Sequence, residues 1–464
     1  MFKSTFGGKE VVSILERVPG AKIVGYEYRL LATKKTSTMQ KELAEAGDQG
    51  YGFVGMTVAK TLVGGDEVGL LRTLVVHSDE PRAIRIPPAN LEEVVWYLPL
   101  PSRFWTRRSM RIHHFSCAGM LACSVVLTAA AVQAQSFDIV ASGLNNPRGL
   151  AFAPNGDLYV VEAGSGGTDA CHVGPTGPRC FGLSGAVLRI DLGQGTTEVV
   201  VDGLPSLAAA SGAAATGAHD LGFQGQGNLY FTIGFAGHPD LRASAIGEPG
   251  ASLARVARLL PDGSLRLRAD LGTYEVINDP DGDEPDSNPY GILVLPGRRI
   301  VADAGANALL EIRANGDIRT LAVFPEFQVP GGPSRDAVPT GLALGPDGAY
   351  YVGQLTGAPF GVGLANVYRV SPEGGEPEVH AGGFTNIIDL EFGPDGSLYV
   401  LQIANPIPNF GGGALIRVAP DGTRTPIDVP LTAPGGIAIA KDGTIYVTNN
   451  STSPFGGEVL RIIP

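Results

Sequence analysis

One turn-and-strand unit recurs six times along this chain, and a recurring unit restricts the fold to a stacked or ring-shaped architecture. The copies are Asn155-Gly156-Asp157-Leu158-Tyr159-Val160, Gln226-Gly227-Asn228-Leu229-Tyr230-Phe231 and Pro296-Gly297-Arg298-Arg299-Ile300-Val301, followed by Asp347–Val352, Asp395–Val400 and Asp442–Val447. Their glycines stand 71, 70, 51, 48 and 47 residues apart, so the first two gaps carry longer loops. Before each turn lies a short apolar strand, such as Gly149–Phe152 or Gly436–Ile439. After it comes a third strand bearing an arginine (Arg189, Arg258, Arg369, Arg417, Arg461), with Glu311 the exception. Most copies add a fourth strand. Asp-Gly and Asn-Gly turns between period-two strands are the strongest short hairpin signal. Four-stranded units at this spacing predict a six-bladed β-propeller.

The last copy stops at Arg461-Ile462-Ile463-Pro464 without a fourth strand, whereas the first is preceded by a spare one, Phe137–Ala141, leading into Ser142-Gly143-Leu144. That stretch matches the fourth-strand ends Val201–Leu204 and Ala381–Phe384. The mature N-terminal strand is therefore expected to complete the last blade and close the ring, removing two open sheet edges.

Composition changes sharply ahead of the repeats. Up to Gln135 there are 16 Lys and Arg against 12 Asp and Glu; from Ser136 onward there are 18 against 34. The acidic body repels phosphate backbones, which argues against a nucleic-acid partner. Residues 110–135 combine a basic start (Arg107, Arg108, Arg111), an apolar run over Ala118–Val132 and small residues at Val132 and Ala134. This is the pattern of a cleaved signal peptide, and the run falls short of the roughly 20 residues of a membrane span. The expected boundaries are a truncated α+β module over 1–75, a linker over 76–109, the signal peptide over 110–135 and the propeller over 136–464. Met110 then reads as the natural initiator and 1–109 as an upstream extension. Within the module, Gly25–Ala32 and Phe53–Val58 read as strands, and a helix is expected from a capping box at Ser37 and Gln40 to Gly47. Gly7-Gly8-Lys9-Glu10-Val11 recurs there as Gly64-Gly65-Asp66-Glu67-Val68.

The segments Ala141–Gly149, Asp286–Gly291, Tyr351–Thr356 with Ala365–Val370, and Phe384–Leu390 resemble the ScyD/ScyE-type family, exported six-bladed propellers related to NHL-repeat proteins. The resemblance spans 136–464 and implies a periplasmic or secreted propeller. It brings no catalytic set.

Equivalent positions of the repeat form rings around a propeller channel. One column, six residues after each anchor glycine, holds Glu162, Ile233, Asp303, Gln354, Gln402 and Asn449. The inner-strand entrances hold Asn146, Gly217, Asn288, Val338, Asn386 and Ala433, and three positions on stand Gly149, Asp220, Gly291, Gly341, Asp389 and Gly436. Carboxylates and amides suit Ca²⁺ or another hard divalent cation, which gives Glu162, Asp220, Asn288, Asp303 and Asp389 as candidate metal ligands. The alternative is that these groups satisfy backbone and water in a wet channel. His219 with Asp220 is the candidate catalytic pair, set against a purely structural histidine. Asp279, Asp281, Asp283, Glu284 and Asp286 form an acidic loop that either holds calcium on the rim or is simply solvated. Cys171 and Cys180 read as a disulfide, since export places them in an oxidising compartment.

Two functions remain. One is a non-catalytic ligand-binding or scaffold module, a monomer holding a small molecule or peptide over the channel. The other is a divalent-metal-dependent lactonase or related hydrolase of the gluconolactonase-like type. A streptogramin-lyase-like elimination rests on fold analogy alone.

Overall fold

All six anchor glycines adopt positive φ, from 75° to 108°, a conformation that side chains with a Cβ rarely take. Each therefore ends one strand and starts the next within a tight hairpin. In three copies the preceding aspartate fixes the turn as well: Asp347, Asp395 and Asp442 accept backbone N–H bonds from Ala349, Ser397 and Thr444 at 3.0–3.2 Å.

A computed structural model divides the chain into two units, residues 1–129 and 130–464. It describes four strands of the first, and residues 136–463 of the second except 175–176, 226, 330–331, 333, 359 and 405–411. The predicted helix at 37–46, the linker and the signal segment lie outside the described residues. In the first unit the strands are Glu10–Ile14, Gly25–Thr33, Gly52–Thr57 and Glu67–Val75, hydrogen-bonded in the order first, second, fourth, third. The repeated Glu-Val pairs sit in the first and fourth strands, which flank the second with Glu10 opposite Leu30 and Glu67 opposite Thr33.

The second unit is a six-bladed β-propeller. Blade 1 comprises Pro147–Phe152, Leu158–Glu162, Gly177–Asp191 and Thr196–Ala208; blade 2, Ala218–Gln224, Asn228–Ile233, Arg255–Leu259 and Leu265–Asp270; blade 3, Pro289–Leu295, Arg298–Asp303, Ala308–Arg313 and Ile318–Val323. Blade 4 comprises Pro339–Leu344, Tyr350–Gln354, Ala365–Val370 and Glu378–Phe384; blade 5, Ile387–Phe392, Leu398–Gln402, Ala414–Val418 and Arg424–Ile427. Blade 6 takes Gly436–Ile439, Ile445–Asn449 and Gly457–Ile463 from the C-terminus and Ser136–Leu144 from the front of the propeller. In that last pairing Phe137 faces Ile462 and Ala141 faces Val459, with an Arg461–Asp138 ion pair at 2.6 Å. Gly143, Gly203 and Gly383 share positive φ, and each precedes a buried Leu144, Leu204 or Phe384, so the closing strand copies the outer strands it stands in for.

The core is divided among the six blade interfaces. Between blades 1 and 2, Val161, Val187 and Leu204 pack on Leu221 and Phe231. Tyr230 and Val256 meet Ile292 and Val301 across the next interface, and Ile300 meets Leu342 and Tyr350 across the third. Ala343 and Val367 then meet Leu390 and Val400, and Leu401 and Leu415 meet Ile437 and Val447. The ring closes where Leu150 and Val160 pack on Tyr446, Val459 and Leu144. Each fully buried side chain of this kind contributes about 1.5–3 kcal/mol relative to exposure.

Candidate functional site in the central channel

Inner strands touch their neighbours around a complete circuit, blade 6 returning to blade 1. Close approach explains the glycine column. A Cβ on Gly149 would lie 2.2 Å from an Asp220 oxygen, one on Gly341 2.5 Å from the Asp389 Cα, and one on Gly436 2.7 Å from the Arg148 carbonyl oxygen. Four blades carry glycine here, and the two aspartates occupy opposite blades, 2 and 5.

Each aspartate fastens its blade to the next. Asp220 accepts from the N–H of Leu221 and from that of Ile292 in blade 3, both at 2.8 Å. Asp389 accepts from Leu390 at 2.8 Å and from Ile437 in blade 6 at 2.9 Å. Threonine hydroxyls add parallel ties: Thr232 donates to the Tyr290 carbonyl at 2.6 Å, Thr340 to that of Ile387 at 2.8 Å and Thr448 to that of Arg148 at 2.8 Å. Arg148 donates to the carbonyls of Ala215, at 2.7 Å, and Ser451.

The other two columns are also bound to backbone. Glu162 accepts from Asn145 N–H at 2.8 Å, Gln402 from Thr385 at 2.8 Å and Asn449 from Thr432 at 2.7 Å. Asp303 accepts from Asn288 at 2.6 Å and from the Ser287 hydroxyl at 2.7 Å. Gln354 departs from the pattern and accepts from Asn366 in its own blade. At the entrances Asn146, Val338, Asn386 and Ala433 have φ between 41° and 53°, a left-handed turn that asparagine tolerates well. The asparagines thus have a backbone reason to be there. Asn288 Oδ1 accepts the Phe235 N–H at 3.2 Å.

His219 is 3 % exposed. Its Nδ1 donates to the Pro289 carbonyl at 3.1 Å, and its ring stacks on Tyr290 with centroids 4.5 Å apart. Burial, with the charges of Arg148 and Arg179 adding to it, drives its pKa down to about 3, so the imidazole stays neutral. Burial pushes Asp389 up to about 7 and Tyr290 up to about 12. Asp220 is held well above the carboxylate range by burial and by the charge of Asp389, and Glu391 rises to about 8 for the same two reasons. The channel is a polar plug of carboxyls that resist ionisation, with Arg148 buried beside them.

The five candidate ligands fall into different settings, with Asn288 bonded to Asp303 and Asp220 within electrostatic reach of Asp389. Asp220 and Asp389 line the channel, while Glu162 and Asp303 lie at the ends of second strands and Asn288 faces the blade 2 loop. Among the described residues, the groups of three or more His, Cys or acidic ligand atoms within 4.8 Å of one another contain none of Glu162, Asp220, Asp303 or Asp389. Cys171 and Cys180 form a disulfide, directly opposite in a hairpin added to blade 1.

Strand alternation puts every second-to-third and fourth-to-first connection at one end of the ring. The long insertions therefore share a face, and they interlock. Asn146 donates to the carbonyls of Gly164 and Gly212 at 2.8 and 2.9 Å, and Arg179 to that of Ala214 at 2.9 Å; His172 stacks on Phe235 at 5.4 Å. The same face carries the acidic loop and an eight-residue helix, Leu271–Asn278. Burial and four neighbouring carboxylates (Asp303, Asp281, Asp279, Asp286) push Glu275 of this helix up to about 8. Burial and Asp303 push Asp286 up to about 7.

Sequence reasoning missed Arg148 and Tyr290, which precede the glycine–aspartate column. The signal was present, since that position reads Arg148, His219, Tyr290 in three successive blades of otherwise apolar strands.

No family model matches the chain, and no curated protein does either. Among solved structures, a streptogramin B lyase is similar at 14 % identity, covering 71 % of this chain and 98 % of that one with a TM-score of 0.40. A gluconolactonase from Xanthomonas campestris matches at 12 % identity over 72 % and 99 %, TM-score 0.35. The WD40 β-propeller domain of Doa1 matches at 12 % identity over 70 % and 96 %, TM-score 0.38. The fold assignment rests on the strand topology above. Among the described residues no helix is long and apolar enough to cross a membrane.

Proposed function

We propose that the chain is an exported, monomeric β-propeller of the ScyD/ScyE type that acts as a non-catalytic ligand-binding or scaffold module, receiving a small molecule or peptide on the insertion-bearing face. The observation that carries this reading is the use made of the channel's chemical groups. His219 Nδ1 and both oxygens of Asp220 and of Asp389 are bound to backbone, most of them across blade boundaries. The Nδ1 proton of His219 and a lone pair on each of these carboxylate oxygens are committed to holding the ring together. Support for the ligand face comes from the interlocked insertions, which build an irregular surface there while the opposite face carries short turns. Export is supported by the 110–135 segment and by the disulfide.

The test is a panel of lactones and esters offered to the full chain with and without added Ca²⁺, Mg²⁺ or Mn²⁺, beside a thermal-shift screen of small molecules and peptides. The reading expects no turnover and at least one stabilising ligand. Turnover that vanishes in Asp220→Asn would replace it with the metal-dependent lactonase. N-terminal sequencing of material exported from a bacterial host is expected to begin at Gln135.

A further inference from the structure

The helix Leu271–Asn278 and the loop after it were inserted between blades 2 and 3, outside the repeat, and they are firmly seated. Asp270 caps the helix by accepting Thr273 N–H at 3.0 Å and is itself clamped by Arg242 at 2.7 Å and Arg255 at 2.6 Å. Tyr274 bonds to the Thr320 hydroxyl in blade 3 at 3.0 Å. Asp279 ends the helix in a left-handed turn and returns its N–H to the Glu275 carbonyl at 2.8 Å. The chain then turns so that Asp281 comes back beside both residues.

Glu275, Asp279 and Asp281 present carboxylate oxygens that all lie within 4.8 Å of one another. The environment of Glu275 sets this cluster apart from a solvated acidic loop. Its side chain is buried, at 1 % exposure, and neither carboxylate oxygen has a hydrogen-bond partner. Asp279 Oδ1 is likewise buried without one. Leaving a buried polar atom unmet costs about 1–3 kcal/mol, and more if charged, so groups of this kind ordinarily have a partner. Asp281 is positioned by Asn307, whose amide donates to Oδ2 at 2.8 Å, while the Asn307 Oδ1 accepts the Val338 N–H at 3.0 Å. A cation that accepts electron pairs from all three carboxylates at once would meet all of these groups.

We infer that Glu275, Asp279 and Asp281 form a calcium site on the insertion-bearing face. The ligand chemistry selects the ion: Ca²⁺ takes six to eight oxygens at about 2.3–2.6 Å in flexible geometry, whereas Mg²⁺ demands a near-ideal octahedron and keeps several of its waters. Three carboxylates with no thiolate or imidazole favour a hard cation over zinc or copper. Backbone carbonyls and water fill the remaining positions of a six- to eight-fold shell. The site is independent of the channel reading. A second acidic group on the same face, Asp283, Glu326 and Asp336, is exposed and provides the control.

The experiment is calcium titration of the chelator-treated full chain, followed by calorimetry and by thermal unfolding. One ion per chain is expected, with a dissociation constant of roughly 10⁻⁴ M or tighter, and weaker Mg²⁺ binding. Glu275→Gln keeps the side-chain shape and removes a buried charge; it should weaken calcium binding on the order of a hundredfold and abolish the calcium-dependent rise in melting temperature. Asp279→Asn should act in the same direction, and Asp336→Asn should leave affinity unchanged. Far-ultraviolet circular dichroism of each variant checks folding. No saturable binding at about 1 mM calcium, or binding untouched by Glu275→Gln and lost in Asp336→Asn, overturns the assignment.

Discussion

The channel and the insertion-bearing rim both bury carboxylates, but they use them in opposite ways. Asp220 and Asp389 stand opposite each other in the ring, and each oxygen accepts a backbone N–H. Glu275 is buried as well, yet neither of its oxygens has a donor and one lies close to two other carboxylates. The channel pair lies on the repeat, at a position where every blade must approach its neighbour closely. Glu275 lies off it. Residues on the repeat are explained by holding like units together, and a costly group placed off the repeat calls for a ligand.

The comparison breaks most readily at Asp389. Replacing it with Ala leaves the N–H groups of Leu390 and Ile437 without partners, and we expect a loss of about 2–4 kcal/mol with calcium binding unchanged. Asp220→Ala should behave alike. Equilibrium denaturation of the two variants checks both, and an effect below about 0.5 kcal/mol would mean that the ties do not hold the ring.

Gly341→Ala is next. Its Cβ would lie 2.5 Å from the Asp389 Cα, and forcing the blades apart should cost about 1–3 kcal/mol. Gly348, at the tip of a hairpin with nothing within 4 Å, tests strain from positive φ alone. There alanine should cost about 1 kcal/mol, and the contrast separates crowding from conformation.

Glu275→Gln should shift stability in the other direction. Without calcium it removes like-charge crowding and should raise stability by a few tenths of a kcal/mol up to about 1. Destabilisation of the calcium-free protein would contradict the comparison.

A further effect is in pH. The folded pKa values of Asp389 (about 7), Glu391 and Glu275 (about 8) lie above their unfolded values. Folding therefore favours the protonated forms, and this contribution is full below about pH 4 and is lost as pH rises through 7 to 8. Melting temperature in chelator should decline from pH 5 to pH 8. Asp389→Asn should flatten that slope, and calcium should flatten it further in both the wild-type chain and Asp389→Asn but not in Glu275→Gln.

Much of the ring was legible because its determinants are local. A glycine with positive φ between two period-two strands announces itself, and six of them give the blade count. The closing strand was legible for the same reason, since Gly143-Leu144 repeats Gly203-Leu204. What the columns do was not legible. An aspartate that accepts an N–H from the next blade is spelled the same way as one that ligates a metal, and only the distance from Asp220 to Ile292 tells them apart. Glu275 was invisible for another reason. It belongs to an insertion with no counterpart in the other blades, and its burial depends on where blade 3 carries Thr320 and Asn307. The shared face of the insertions follows from strand alternation, which the blade assignment already contained.

Crystals of the full chain soaked in calcium and then in manganese offer the most direct test, through anomalous difference maps. The account predicts one strong peak bounded by Glu275, Asp279 and Asp281, and none between Asp220 and Asp389. A peak in the channel with none at the helix would contradict it and return the chemistry to the ring.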